Sequence, residues 1–305
     1  MTETTPVGET PAAGAERPPN RRLRGVGWMI VSTVSAACMH TSVRHVSESI
    51  HPFEIAFFRL LFGFFAVLPF ILRLGLAPFR TKRLPLLGLR GVLNTVAMLS
   101  WFTALTITPL AEATAISFTA PIFSIVLAML VFRERIGPRR WTAIVIGFLG
   151  TMVVVRPGFV EIQTGALLAM GAALMWGSCV VIIKELSRTE SSATITAYMS
   201  MVMAPMALVP ALFHWTWPGA NEIMWLIAIG CFGSLAQYSM TEALRHAETH
   251  VVMPVDFIKL VWVAVIAFLA FGEVPGLFVW LGGAMIVGAT AYIGYREHNL
   301  RKRQQ

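Results

Sequence analysis

Charge is scarce in this chain. Asp, Glu, Lys and Arg make up 13% of its 305 residues, about half the roughly 25% of an ordinary soluble domain, and that shortage excludes a solvated globular surface. Cysteine is nearly absent as well. Cys38, Cys179 and Cys231 stand singly inside apolar segments, without CxxC spacing or pairing, so a disulfide framework is excluded and small core residues remain. Motifs of energy transduction and hydrolysis are missing too. No Walker loop, GxSxG elbow or DxD-like phosphate site occurs, which leaves ATP-driven pumping and hydrolysis without machinery. The segment His246–His250 (HAETH) sets two histidines four apart. Its Glu does not follow the first His as in HExxH, so no metal and no cofactor is expected.

What is present is apolar. Hydrophobic residues reach 56% and the mean hydropathy is +0.69, so lipid is the expected surroundings. The net charge of +8 would suggest nucleic acid in a soluble protein. Here the basic residues fall in short loops between apolar runs, where they read as orientation signals and not as a nucleic-acid surface.

The chain also repeats itself. Gly91, Ala97, Ala104, Leu105, Glu134, Gly137 and Trp141 recur 139 residues later as Gly230, Ala236, Ala243, Leu244, Glu273, Gly276 and Trp280. Internal repeats built of apolar runs are the usual plan of secondary transporters. Ten spans are predicted, near 25–45, 52–72, 84–106, 109–132, 138–156, 164–184, 192–213, 222–245, 250–272 and 276–295. Five per repeat is an odd number, so the second copy enters the membrane from the opposite side. The expected fold is an all-α integral membrane protein of ten transmembrane helices in two inverted five-helix repeats, 21–158 and 159–296. The first spans pair at an offset of 140, Gly25 with Gly165, Arg44 with Lys184 and Ser47 with Ser187.

The basic residues give the orientation. With both termini in the cytoplasm, all but four of the 24 Lys and Arg fall on the inner side, as the positive-inside rule requires. Arg44 and Arg156 lie near the outer face, while Arg59 and Lys259 lie within spans. Residues 1–20, rich in Thr, Pro, Glu, Ala and Gly, form an expected disordered cytoplasmic tail, and 297–305 a basic one. No cleavable signal is expected, because the first apolar run follows Arg21, Arg22 and Arg24 and is retained. Trp215 and Trp217, in an outer loop free of Lys and Arg, read as interface anchors.

These segments resemble a known family. The runs HPFEIAFFRLLFGFFAVLPF (51–70), RGVLNTVAMLSWFTALTITPLAEATAISFTAPIF (90–123) and FRERIGPRRWTAIVIGFLGTMVVVRPG (132–158), with FGEVPGLFVWLGG (271–283) echoing the third, are similar to the EamA-type branch of the drug/metabolite transporter superfamily. The resemblance covers about residues 25–295. It implies ten helices in two inverted repeats and carriage of a small organic metabolite. The first half is most similar to bacterial S-adenosylmethionine uptake carriers, sharing the FExAFFR stretch and the SFxxPxF segment. Other members of the branch handle riboflavin, amino acids, acylcarnitines or metallophores.

An ionisable group inside a bilayer costs about 2.5–3.5 kcal/mol at a helix centre, so each one is a functional candidate: Glu54, Arg59, Glu112, Glu242, Asp256 and Lys259. Asp256 and Lys259, three apart, share a helix face, either as a structural ion pair or as part of binding or gating. Pro254, just before them, predicts a broken helix; Pro121 fits a packing kink equally well. Arg59 calls for a carboxylate, from the bundle or from a substrate. Glu54 reads as an interfacial charge. Glu112 reads as a helix cap or as a shielded carboxylate for a proton or cation.

Asn94, Trp101, Trp176, Gln237 and Tyr238 complete the predicted substrate lining, since Trp faces attract cations; packing is the competing reading for each Trp. His40 is expected to pack or hydrogen-bond. Gly147, Gly150, Gly282, Gly283 and Gly288 form small-residue faces suited to close packing inside one chain or to a homodimer.

The expected function is therefore secondary transport of a small organic metabolite, of S-adenosylmethionine-like, amino-acid-derived or vitamin type, across the cytoplasmic (inner) membrane by alternating access. An exporter of amino acids or metallophores is the nearest alternative. An integral-membrane enzyme acting on a lipid or small molecule is the alternative from another class.

Overall fold

A computed structural model of the chain describes residues 19–74, 81, 83–132, 138–156, 163–186, 189–190, 192–246 and 255–304. Among them every regular element is an α-helix: α1 Pro19–Val46, α2 Pro52–Leu74, α3 Leu84–Ile107, α4 Leu110–Ser117, α5 Ala120–Phe132, α6 Pro138–Val155, α7 Thr164–Leu186, α8 Ser192–Leu212, α9 Ala220–His246, α10 Ile258–Phe271 and α11 Leu277–Gln304. Pro19, Pro52 and Pro138 each open a helix, where a missing N–H costs nothing and the fixed φ already suits the helix. Residues 1–18 of the expected tail lie outside the described residues, and so does Pro254. The basic 297–305 segment, read as a tail, is helical to Gln304.

Among the described residues five stretches are long and apolar enough to cross a bilayer: Leu23–Val46, Leu84–Ile107, Leu110–Val131, Thr164–Ile183 and Ala220–Ala243. Shorter apolar helices accompany them at Ile144–Val155, Val202–Leu212, Ile258–Phe271 and Leu277–Ala289. The outer surface is apolar as well. Phe65, Leu130, Phe148, Leu167, Leu269 and Leu281 are at least half exposed, a distribution that water would penalise and hydrocarbon accepts.

The two repeats interlock. Gly91 of α3 abuts Val202 of α8, and Gly230 of α9 abuts Phe62 of α2. The glycines are 139 apart and their partners 140 apart, so each half sets its third helix against the second helix of the other. The first helix of each half crosses over in the same way, α1 packing on α9 and α7 on α3. Gly150 of α6 meets the backbone of Gly282 of α11, Gly147 meets Ile122 and Ala289, and Gly283 meets Leu260. The small-residue faces are thus used for close packing inside the chain, while Gly288 faces open space.

Among the described residues two predicted spans are interrupted. Residues 109–132 read as a single helix, but the structure divides it at Phe118 and Thr119 into α4 and α5. Phe118 N–H donates to Ala115 O, and the N–H and Oγ1–H of Thr119 both donate to Ile116 O, a tightened turn that ends the α-helical ladder. Pro121, two residues on, has no N–H to resume it. In the second half Phe257 interrupts the helical residues Val255 and Asp256 ahead of α10. At the far end of α10, Gly272 adopts φ +67° and Glu273 N–H reaches back to Ala267 O, a left-handed cap that glycine takes without strain. That cap turns Glu273 toward α1.

Candidate functional site

Where the two interrupted helices meet, polar and aromatic side chains collect inside an otherwise apolar bundle. Phe118 and Phe257 touch edge-to-face at 4.9 Å between ring centroids. Lys259 stands at the start of α10, its Nζ 3.5 Å from Asp256 Oδ2 and 4.9 Å from the Phe118 ring centre. Trp101 of α3 is buried and lies between His40 of α1 at 5.2 Å and Trp176 of α7 at 5.6 Å. Arg59 of α2 reaches inward, Nη1 donating to Met98 Sδ at 3.9 Å and Nε facing Gly233 of α9. His40 lies within electrostatic reach of both Lys259 and Arg59.

Of the nine residues proposed from the sequence, Arg59, Trp101, Trp176, Asp256 and Lys259 come together here. Asn94 sits in the α3–α8 interface, its Nδ2 donating to Met203 Sδ at 3.0 Å. Gln237 and Tyr238 are exposed on α9, with Tyr238 set edge-on to Trp28 at 5.9 Å, and they do not join the group. Glu112 lies elsewhere, on a cavity of about 260 Å³ that Arg156, Gln163, Glu273 and Phe278 also line. It stands in the first turn of α4, where the Leu110 N–H donates to Glu273 Oε2 at 3.0 Å.

That second region ties helix ends together. Arg44 Nη1 donates to Leu105 O at 2.9 Å and to Thr108 O at 3.1 Å, and Nη2 pairs with Glu273 Oε1 at 3.4 Å. A guanidinium therefore satisfies the C-terminal carbonyls of α3 while a carboxylate satisfies the N-terminus of α4, each charge opposing the local helix dipole. Arg156, at φ +49° after α6, sets its guanidinium 4.8 Å from the Phe278 ring centre.

Glu54 departs from its reading as an interfacial charge. It is fully buried, and its Oε2 accepts from Thr216 N–H and Oγ1–H, both at 3.1 Å, so it anchors the loop between α8 and α9. Beside it His51 stacks on His214 at 4.0 Å. Partial burial and the neighbouring imidazole hold His51 below its ordinary pKa of 6.5.

The geometry defines a class: a multi-pass helical membrane protein made of two like halves, with charged and aromatic groups gathered where they cross. Comparison gives the family. The EamA-like transporter family model matches residues 23–156 and again 163–295, and this chain belongs to that family.

A relative from Rickettsia felis named S-adenosylmethionine uptake transporter is 31% identical over 92% of this chain and 96% of its own length. A riboflavin transporter of Rhizobium johnstonii is 33% identical over 92% and 93%, and a pseudopaline exporter of Pseudomonas aeruginosa 26% over 87% and 94%. A solved crystal structure superposes with a TM-score of 0.62 at 18% identity, over 92% of this chain and 98% of that one, a likeness of fold alone. The chain is a small-metabolite transporter and not an enzyme.

Proposed function

We propose that this protein moves a small organic metabolite across the cytoplasmic membrane by alternating access. Ten spans in two inverted five-helix units, 21–158 and 159–296, with both termini in the cytoplasm, would carry the substrate past a midplane site. The residues of that site are His40, Arg59, Trp101, Trp176, Asp256 and Lys259. The observation that carries the reading is that both repeats contribute to one group: Trp101 of α3 meets His40 of α1 and Trp176 of α7, His40 lies within electrostatic reach of Arg59 and Lys259, Lys259 meets Phe118 and Asp256, and each charge needs a reason to be there. Cargo of the kind named for the relatives, S-adenosylmethionine or riboflavin, suits two tryptophan faces that can hold a planar ring.

Proteoliposomes loaded with unlabelled S-adenosylmethionine test this by counterflow of the labelled compound, with riboflavin run in parallel. Uptake above protein-free vesicles is expected for one of the two, falling by an order of magnitude in Trp101→Ala. Asp256→Asn should lower it too, because Lys259 then loses its neutralising partner. Wild-type rates in both variants would remove these residues from the site.

A further inference from the structure

We infer that the midplane site holds its substrate by a carboxylate and that Arg59 is the group that binds it. The inference rests on the reading of this site as the substrate site and adds the chemical class of the ligand.

A guanidinium stays protonated at any accessible pH, and removing it from water costs several kcal/mol unless a counter-charge and acceptors replace the lost hydration. Arg59 carries five N–H donors. The structure gives them one acceptor, the Met98 thioether at 3.9 Å, and thioether sulfur accepts weakly.

Among the described residues, three carboxylates that could have served are engaged elsewhere. Asp256 pairs with Lys259, Glu54 holds the amide and hydroxyl of Thr216, and Glu273 pairs with Arg44. Snorkelling is not the explanation either. The half-buried side chain points inward, between α3 and α9, and a Cβ on Gly233 would stand 3.0 Å from Met39 Sδ and 3.2 Å from Arg59 Nε. The glycine of α9 thus leaves room for a guanidinium that points into the protein.

A second orphan lies close by. His40 is buried, and its Nδ1 has no hydrogen-bond partner, although polar groups so placed are nearly always satisfied. A carboxylate answers both needs, accepting a bidentate fork from Arg59 and a further hydrogen bond from the imidazole. Its charge also offsets a group in which Lys259 is already neutralised and Arg59 is not. Trp101 and Trp176 then face whatever planar group the same molecule carries.

The test uses the full chain in detergent with S-adenosylmethionine and its carboxamide analogue as probes. Wild type should bind the acid about 10- to 100-fold more tightly than the amide, the range set by a charged hydrogen-bonding partner. In Arg59→Gln the two should bind alike. Equal binding of acid and amide by the wild type, or a preference that survives in Arg59→Gln, overturns the inference.

A second arm needs no ligand. Met98→Glu sets a carboxylate beside the guanidinium and should raise the melting temperature above that of Met98→Gln. Equal melting temperatures would mean that Arg59 lacks no counter-charge, and the inference falls. If the wild type binds neither probe, the assignment of cargo fails while the Met98 pair still judges Arg59.

Discussion

The ring of Phe118 meets that of Phe257 edge-on at 4.9 Å, and the two lie 139 residues apart, the interval at which the sequence repeats. Each sits at an interruption of its helix. Corresponding points of the two halves therefore touch, at the place where each half's backbone leaves the regular ladder. An edge-to-face pair contributes about 0.5–1.5 kcal/mol beyond its buried area.

Thermal melts of Phe118→Ala, Phe257→Ala and the double variant should give a coupling energy of about 1 kcal/mol. Phe118→Ala should be the costlier single change, because its ring also faces Lys259 Nζ, a cation–π contact. Additive effects would show that the contact is incidental.

The Arg44–Glu273 pair predicts unequal consequences for its members. Arg44→Ala deprives Leu105 O, Thr108 O and Glu273 of a partner at once, whereas Glu273→Gln keeps an oxygen for the Leu110 N–H. Arg44→Ala should cost about 1–3 kcal/mol and Glu273→Gln clearly less, read by unfolding in detergent. A cysteine placed at Ala111, which lines the cavity there, should react faster with a membrane-impermeant maleimide in the Arg44→Ala background.

Gly91→Ala and Gly230→Ala should both destabilise by overpacking, about 1–3 kcal/mol each, but only one should be rescued. The obstacle to a Cβ at Gly91 is the Val202 side chain; at Gly230 it includes the backbone of Phe62 and Gly63. Val202→Gly, which removes both the Cγ1 and the Cβ that a Gly91 Cβ would meet, should therefore recover most of the Gly91→Ala loss, and Phe62→Gly, which leaves the backbone obstacle in place, should leave Gly230→Ala impaired.

His51 offers a pH test. Burial and His214 both disfavour its charged form, so its folded pKa lies below the ordinary 6.5. A base depressed in this way leaves stability untouched above about pH 6.5 and lowers it as pH falls below that value, because the unfolded chain takes the proton first. Histidine NMR should show His51 titrating below the ordinary 6.5, and His214→Ala should move it upward.

The repeat, the family and most helix boundaries were legible in the sequence, because apolar runs and opening prolines are local signals. The 52–72 and 84–106 spans emerge as Pro52–Leu74 and Leu84–Ile107. Facing was harder to read. In hydrocarbon both faces of a helix are apolar, so nothing in the pattern around Gln237 and Tyr238 revealed that they point outward. The burial of Glu54 depends on a loop more than 160 residues away, and the break at Phe118 on how Thr119 and Pro121 act together. The Arg44–Glu273 pair did leave a trace. A cation in the first span and an acid after the fourth recur in both repeats, as Arg44 with Lys184 and Glu134 with Glu273, but two separate coincidences of offset do not reveal a contact between them.

The crossing of α3 onto α8 and of α9 onto α2 means that neither half owns a finished interior. Severed between residues 156 and 163, the chain would yield two fragments, each with a raw seam and stable only once it had found the other. A progenitor consisting of one such unit would have needed a second molecule of itself to bury that seam, so fusion of the two into one polypeptide would have made permanent a partnership that already existed.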